Sequence, residues 1–206
     1  TYRISDVKKA SVVVNANPMK KGHYHLIETA SQNHEEVIVF VVSEDRSFFP
    51  FNARFDIVKK ACEPLGNVTV VPSDVYLVSY ATFPKYFLKH EAVISKEHAL
   101  IDVLIFKHYY MKIFNITDRY VGEEPLSPMT NIYNDTMKEH LNHKFHIIPR
   151  VKHKHTVISA SHVRKRLKTE TVDRLSDYLV QPSIDFLKTK EGAEIIERIK
   201  TTSKRH

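Results

Sequence analysis

Three short runs of apolar residues, separated by helical patterns, constrain the fold of this chain most strongly. The runs are VVV (12–14), EVIVFVV (36–42) and NVTVVP (67–72). Strands without polar alternation are buried on both faces, which is typical of parallel sheets that helices cover. Amphipathic patterns after Gly22 and over 53–62 lie between the runs. This alternation predicts an α/β fold with a parallel sheet.

The remainder of the chain extends the same pattern. Further strands are predicted at 119–122 and 145–151, and helices near 100–114, near 130–141 and from Ser159 onward, with Pro182 at a helix start. The sequence thus predicts a Rossmann-like open sheet of five parallel strands with helices on both faces, plus a C-terminal helical extension. We expect an α/β domain over residues 1–168 and a helical extension of the same domain over 169–206.

Composition narrows the class of protein and of partner. The chain has 206 residues, a net charge of +7 and a single cysteine, Cys62, which excludes an internal disulfide framework and is predicted to lie in the core. No apolar run reaches the roughly 18 residues of a membrane span, so we expect a cytoplasmic protein without membrane contact. Residues 140–169 contain no Asp or Glu, and this basic block favours anionic partners.

The loop after the first strand reads NANPMKKGHYH and opens into a helix. A helix start presents free N–H groups and a positive dipole end, which favours an anion such as phosphate. In open parallel sheets, ligands bind beyond the carboxyl ends of the strands. Asn17, Lys20, Gly22 and His23 are therefore candidate site residues, and Gly122 closes the fourth strand at the same edge.

A second candidate motif, ISASHVR, lies at 158–164 within the basic block. Ser159 is predicted as a helix N-cap, and Ser161 and Arg164 are three residues apart on one helical face. A hydroxyl beside a guanidinium fork suits phosphate oxygens. Histidines in the block, including His143 and His146, have irregular spacing without carboxylates, so an exposed basic loop is favoured over a metal site.

Together these motifs resemble the nucleotidyltransferase superfamily and, more narrowly, the catalytic domain of the citrate lyase ligase family. The blocks that carry the resemblance are VVNANP, GHYHLIE, VVSEDRSFFPFNARFDIV, YATFPKYFLK, VGEEPLSPMTNIYNDTMK and ISASHVR. They follow one another in the family's order over about residues 12–167. The family usually carries an additional N-terminal domain, which full activity is expected to need.

The resemblance implies roles for individual residues. His23 would stabilise charge on the α and β phosphates of ATP, with Gly22 allowing close approach. Ser159, Ser161 and Arg164 would hold the β and γ phosphates. Gly122 and Glu123 would contact the nucleotide side of the site, and Arg54 resembles the helix arginine that often faces the active site in related transferases, where it would help to bind the nucleotide. Lys20 departs from the Thr or His usual at its position; its ammonium can meet a phosphate or point to solvent.

The implied activity is an ATP-dependent ligation through an acyl-adenylate. The ligand set is ATP and acetate with Mg²⁺, for which no protein ligand is predicted, and the protein partner is the acyl carrier subunit of citrate lyase. The chain would acetylate the prosthetic-group thiol of that subunit and release AMP and pyrophosphate. Two alternatives stay open: transfer of AMP or CMP to a phosphorylated small molecule, and a silent nucleotide- or RNA-binding domain. Nucleic acid is the less expected partner because basic and aromatic residues do not interleave.

Overall fold

The described residues contain a central sheet of five strands, all parallel. A computed structural model describes residues 6–43, 47–73, 96–123, 128–153 and 156–202. The strands are β1 (Lys9–Val14), β2 (Glu36–Val41), β3 (Val68–Pro72), β4 (Ile116–Gly122) and β5 (Phe145–Ile148). Their order is β3-β2-β1-β4-β5. The predicted Rossmann-like parallel sheet is confirmed, while the YATFPKYFLK block lies outside the described residues.

Helices follow the strands as the alternating pattern predicts. They are α1 (Lys21–Asn33), α2 (Phe51–Cys62), α3 (Lys96–Ile105), α4 (Pro128–Leu141), α5 (Ala160–Arg166), α6 (Gln181–Leu187) and α7 (Lys190–Thr201). The chain continues from α3 through a π-helical turn, Phe106–Tyr110, and a last α-turn, Met111–Ile113. Within the described ranges, no helix has the length and apolar character needed to cross a membrane.

Alternate residues of the strands pack into two separate cores, because successive side chains of a strand point to opposite faces. Val12 and Val39 lie in a core with Leu26 and Ile27 of α1 and with α2. Phe40 lies in the other, beneath α3 and α4. The expectation of helices on both faces is therefore confirmed.

Several strand ends differ from the prediction: β4 begins at Ile116 rather than at residue 119, β2 and β3 differ by one residue each, and β1 and β5 differ as well. β1 begins at Lys9 rather than at residue 12. Ser11, inside this strand, is fully buried, and its hydroxyl keeps a hydrogen-bond partner there because it donates to the Asp118 carbonyl of β4 at 3.2 Å. β5 ends at Ile148 rather than at residue 151, since Pro149 has no N–H for a sheet hydrogen bond. A short hairpin of β6 (Lys152–His153) and β7 (Thr156–Val157) follows instead.

The C-terminal helices pack directly against the α/β part through a third core. Phe49, Ile158 and Val163 share this core with Leu179 and Leu187. Backbone contacts add to the packing: the Lys21 N–H donates to the Tyr178 carbonyl at 2.9 Å. The loop after β1 and the C-terminal helices are thus held in one packed unit.

Candidate functional site

The candidate site lies where the strand order of the sheet reverses. β2 and β3 extend the sheet on one side of β1, and β4 and β5 extend it on the other. In open parallel sheets, the loops that leave the carboxyl ends of the two strands at such a point, here β1 and β4, diverge and give ligands room to bind. The loop after β1 leads to Asn17, Lys20 and His23, and β4 ends at Gly122.

The loop after β1 is bent and well held. Ala16 has a left-handed backbone with φ of 52°, an uncommon conformation for a residue with a Cβ. Asn17 is buried, and its side-chain oxygen accepts a hydrogen bond from the Phe49 N–H at 3.3 Å. The loop therefore directs the chain into α1 from a fixed position.

His23 is a neutral hydrogen-bond donor in this arrangement. Its Nδ1 accepts a hydrogen bond from the backbone N–H of Lys20 at 3.2 Å, so the ring proton of the neutral form resides on Nε2. Burial, followed by the positive charges of Lys20 and Arg150, holds the pKa of His23 well below its usual 6.5. A half-buried imidazole with a protonated Nε2 can donate to a phosphate oxygen at neutral pH.

Lys20 points inward, not to solvent. Its side chain is buried, and Nζ donates to the carbonyl of Ile158 at 3.2 Å. Ile158 directly precedes Ser159, so this bond joins the start of α1 to the start of α5. Of the two alternatives that the sequence left open, the structure contradicts the one in which Lys20 points to solvent, and contact with a phosphate stays a prediction.

The ISASHVR motif has the local geometry that its sequence predicts. Ser159 caps α5, accepting a hydrogen bond from the His162 N–H at 3.1 Å, and its Oγ lies 3.0 Å from that of exposed Ser161. Arg164 donates to the Asn17 carbonyl at 2.8 Å, and burial lowers its pKa. Charges act more strongly in such a partly desolvated position than in water.

Arg54 differs from the ligand-facing arginine that the resemblance implies. Its side chain is fully buried. The guanidinium donates to the carbonyls of Phe49 at 2.9 Å, Asn15 at 3.0 Å and Val42 at 2.7 Å. These carbonyls belong to the loop after β1, the end of β2 and the residues before α2. Arg54 therefore holds these three segments of the backbone together.

Gly122 and Glu123 lie exposed at the carboxyl end of β4, on the other side of the switch point. The Glu123 N–H donates to the Ile148 carbonyl at 2.8 Å, and its carbonyl accepts from Nε of Arg150 at 2.6 Å. Gly22 lies in the first turn of α1, where a Cβ would meet open space. Room for close approach is thus present at Gly22.

Two residues at this edge were not predicted as site residues. Asn15 accepts from Arg54 through both its backbone and side-chain oxygens. Arg150 lies one residue beyond Pro149 at the carboxyl end of β5 and acts on the charge state of His23. Its position in the basic block, directly after Pro149, which cannot continue a ladder of sheet hydrogen bonds, is a signal that could have identified it.

Cys62 and the pair His146–Asp118 lie outside this site. Cys62 is buried in the core, as predicted, and burial raises its pKa to about 12. His146 Nε2 lies 2.7 Å from Asp118 Oδ1, with its ring stacked on Tyr120 at 4.4 Å between centroids. Over the residues that the structure describes, no three His, Cys, Asp or Glu side chains group in a way that could hold a metal ion.

Comparison with known proteins gives consistent matches. Residues 9–187 match the family model of the citrate lyase ligase C-terminal domain. The chain is 40% identical to the citrate (pro-3S)-lyase ligase of Klebsiella pneumoniae over 137 residues, which are 66% of this chain and 40% of that protein. It is 33% identical to the citrate (pro-3S)-lyase ligase of Haemophilus influenzae over 193 residues, 90% of this chain and 58% of that protein. The chain thus spans about half the length of these relatives.

Solved structures share the fold. A bifunctional NMN adenylyltransferase/ADP ribose pyrophosphatase from Francisella tularensis, complexed with AMP and a manganese ion, superposes with a TM-score of 0.54 at 15% identity. The superposition covers 93% of this chain and 52% of that one. At this identity the likeness concerns the α/β architecture alone.

Proposed function

The chain belongs to the citrate lyase ligase C-terminal domain family, and from this we propose that it carries the adenylating site of an ATP-dependent ligase. The ligase activates acetate with ATP and transfers the acetyl group to the prosthetic-group thiol of the acyl carrier subunit of citrate lyase. One observation carries the proposal. The starts of α1 and α5 are joined at the switch point by the Lys20–Ile158 and Arg164–Asn17 hydrogen bonds.

The reaction takes place in two steps that need no protein nucleophile. A carboxylate oxygen of acetate attacks the α-phosphorus of ATP, and the bond from that phosphorus to the bridging oxygen breaks as pyrophosphate leaves with the electron pair. The carrier thiol, losing its proton to solvent, then attacks the carbonyl carbon of acetyl-adenylate. The carbon–oxygen bond to AMP breaks, and a thioester forms. Positioning and charge stabilisation supply the catalysis in such transfers.

The residues of the site divide this work. His23 donates its Nε2 proton in a hydrogen bond to a phosphate oxygen and stays neutral, while Lys20 and Arg164 supply positive charge. Ser159 and Ser161 donate hydroxyls to the β and γ phosphates, and Asn17 fixes Arg164. A set of this kind balances the negative charge that builds up on the departing pyrophosphate.

The remaining candidates have supporting roles. Gly22 leaves room for the phosphates, Gly122 and Glu123 contact the nucleoside side, and Arg54 is a positioning residue rather than a ligand contact. Mg²⁺ is expected with ATP, whose phosphate charge it neutralises. We assign it no protein ligand because magnesium usually keeps several waters and takes phosphate oxygens.

The test is acetate-dependent release of pyrophosphate from ATP, with acetyl-adenylate as the product. His23→Gln should lower the rate about 10²- to 10³-fold, because it removes a donor that stabilises transition-state charge. His25→Gln, on an exposed residue of the same helix, should leave the rate unchanged. Because the pKa of His23 lies well below 6.5, the ring should stay neutral, with the hydrogen bond from the Lys20 N–H to Nδ1 intact, until the pH falls well below 6.5.

Three other results would contradict the proposal. Pyrophosphate release that does not depend on acetate would favour a simple nucleotidyltransferase acting on a phosphorylated small molecule. Salt-sensitive RNA binding without turnover of ATP would favour a silent binding domain, since phosphate-driven binding weakens steeply with salt. Equal rates for the His23→Gln and His25→Gln variants would contradict the role that we assign to His23.

A further inference from the structure

Asn15 lies at the switch point of the sheet, directly after Val14, the last residue of β1. Only Ala16, with its left-handed backbone, separates Asn15 from Asn17. The Cα atoms of these two asparagines are therefore at most about 7 Å apart. The Asn17 carbonyl accepts from Arg164 at 2.8 Å, so Asn15 is a near neighbour of a residue that we assign to the phosphates.

The side-chain amide of Asn15 has a fixed orientation. Nη1 of Arg54 donates to the backbone carbonyl and to Oδ1 of Asn15, at 3.0 Å each. The Ser47 hydroxyl donates to the same Oδ1 at 3.4 Å. A guanidinium has donors only, so the amide atom that faces it must be the oxygen. The amide nitrogen, Nδ2, therefore points away from Arg54.

This nitrogen is available to a ligand. Every contact that fixes the Asn15 side chain is made by its oxygen, and Nδ2 has no hydrogen-bond partner in the part of the chain that the structure describes. The side chain is half-buried, but Nδ2 itself is not a buried atom. The hydrogen bond from Arg54 polarises the amide and strengthens its N–H donors. A donor that is already oriented binds an acceptor with little loss of freedom.

The donor is neutral, unlike Lys20 and Arg164, the cations that we assign to the phosphates. A nucleophilic carboxylate is better held by a neutral donor, because a cation would stabilise its ground state and raise the barrier to attack. In-line attack also brings the carboxylate in opposite the departing pyrophosphate. Its donor should therefore lie outside the helix starts that hold the β and γ phosphates. Asn15 meets this requirement because it belongs to neither α1 nor α5.

We propose that Asn15 binds the carboxylate of acetate. Nδ2 donates a hydrogen bond to one carboxylate oxygen, and the other oxygen attacks the α-phosphorus of ATP. The assignment rests on the proposed function, in which acetate is the nucleophile of the adenylation step. Asn15 transfers no proton and forms no bond to phosphorus, so it orients the substrate and leaves the bonds made and broken as described above.

The test measures acetate-dependent release of pyrophosphate as a function of each substrate. Asn15→Asp keeps an oxygen for Arg54 but replaces the donor with an oxygen that repels acetate. It should raise the KM for acetate by roughly 100-fold, about the loss of a hydrogen bond to a charged group. Asn33→Asp is the matched control, because it makes the same change on an exposed residue at the far end of α1. Its KM for acetate should equal that of the wild type.

A second variant separates the lost donor from the added charge. Asn15→Ala should raise the KM for acetate roughly 10-fold, while its KM for ATP and its calorimetric affinity for inorganic triphosphate stay as in the wild type. An unchanged KM for acetate in a folded Asn15→Asp or Asn15→Ala variant would overturn the proposal. Weaker binding of ATP and triphosphate by Asn15→Ala, at an unchanged KM for acetate, would show that the amide serves phosphate instead. A wild type that releases no pyrophosphate in response to acetate would contradict the proposed function, and this assignment with it.

Discussion

Arg54 shows how a single residue can organise the site without touching a ligand. Its guanidinium satisfies three backbone carbonyls from different segments, among them those of Val42 and Phe49. A buried acceptor left without its donor costs about 1–3 kcal/mol. Because one side chain reaches all three carbonyls, its removal should destabilise the fold as well as the site.

We expect Arg54→Met to lower the free energy of unfolding by about 3 kcal/mol or more, measured by urea denaturation. The methionine keeps apolar volume but leaves the carbonyls unsatisfied. Lys60→Met is a suitable control because Lys60 is exposed on the same helix and should change stability by less than about 0.5 kcal/mol. Similar urea midpoints for the two variants would show that Arg54 does not hold these loops.

At the residue scale, the sequence predicts which residues have the chemistry for the site better than it predicts how their side chains are oriented. The polar residues after β1 and at the start of α5 could be identified because helix starts beyond parallel strands suit anions. The inward turn of Lys20 could not, since Lys20 and Lys21 are adjacent in sequence and tertiary contacts, such as that of Lys20 with Ile158, distinguish them. A signal for Arg54 did exist: it stands four and eight residues before Val58 and Cys62, on the apolar face of α2.

The start of α5 combines two functions in one residue, and substitutions can separate them. Ser159 caps the helix through its Oγ and, in our proposal, also donates to phosphate. Ser159→Ala should reduce stability by about 1 kcal/mol through loss of the cap. Ser159→Asp restores a capping oxygen but adds a negative charge, so it should recover stability while binding triphosphate more weakly than Ser159→Ala.

Thermal unfolding and calorimetric binding of triphosphate check the two effects on the same samples. Ser176 is exposed and is not one of the candidate site residues, so Ser176→Ala should behave as the wild type in both measurements. If Ser159→Asp binds triphosphate as tightly as the wild type, the hydroxyl of Ser159 does not face the phosphates. If Ser159→Ala is as stable as the wild type, the cap contributes nothing to α5.

At the element scale, the interiors of strands and helices were predictable and some of their ends were not. The apolar run of β1 begins at Val12, but the strand itself begins at Lys9 because Ser11 finds a backbone partner across the sheet. The helix predicted near 100–114 contains a π-helical turn at Phe106–Tyr110. The ring of Tyr110 stacks with those of Phe106 and Phe114, which lie four residues to either side. A sequence pattern read with the average period of an α-helix does not reveal such a local π-helical turn.

Across the whole molecule, the described residues after 168 pack against the α/β part of the chain. Ser183 donates to the Met19 carbonyl at 2.9 Å inside the protein, and Lys20 forms an isolated bridge with Leu179. These contacts brace the loop that leads from β1 into α1. The proposed domain division, with 169–206 as an extension rather than a separate unit, therefore makes a prediction about cooperativity.

A chain that ends at Lys168 should fail to fold cooperatively. Within the described residues, the missing segment contributes seven buried apolar side chains to the third core: Leu175, Tyr178, Leu179, Ile184, Leu187, Ile195 and Ile199. Their loss exposes Phe49, Ile158 and Val163, which share this core, to water and so removes hydrophobic stabilisation from the part of the chain that remains. Because domains are only marginally stable, we expect this exposure to abolish cooperative folding.

Urea denaturation followed by circular dichroism, with triphosphate binding as a second readout, tests this expectation. The matched control ends at Thr202 and removes only residues 203–206, so it should unfold in one transition and bind triphosphate like the whole chain. The chain that ends at Lys168 should lose both properties together, because the loop after β1 loses the bridge at Leu179 and the Ser183 contact. A truncated chain that unfolds cooperatively and still binds triphosphate would show instead that residues 1–168 fold as an independent domain.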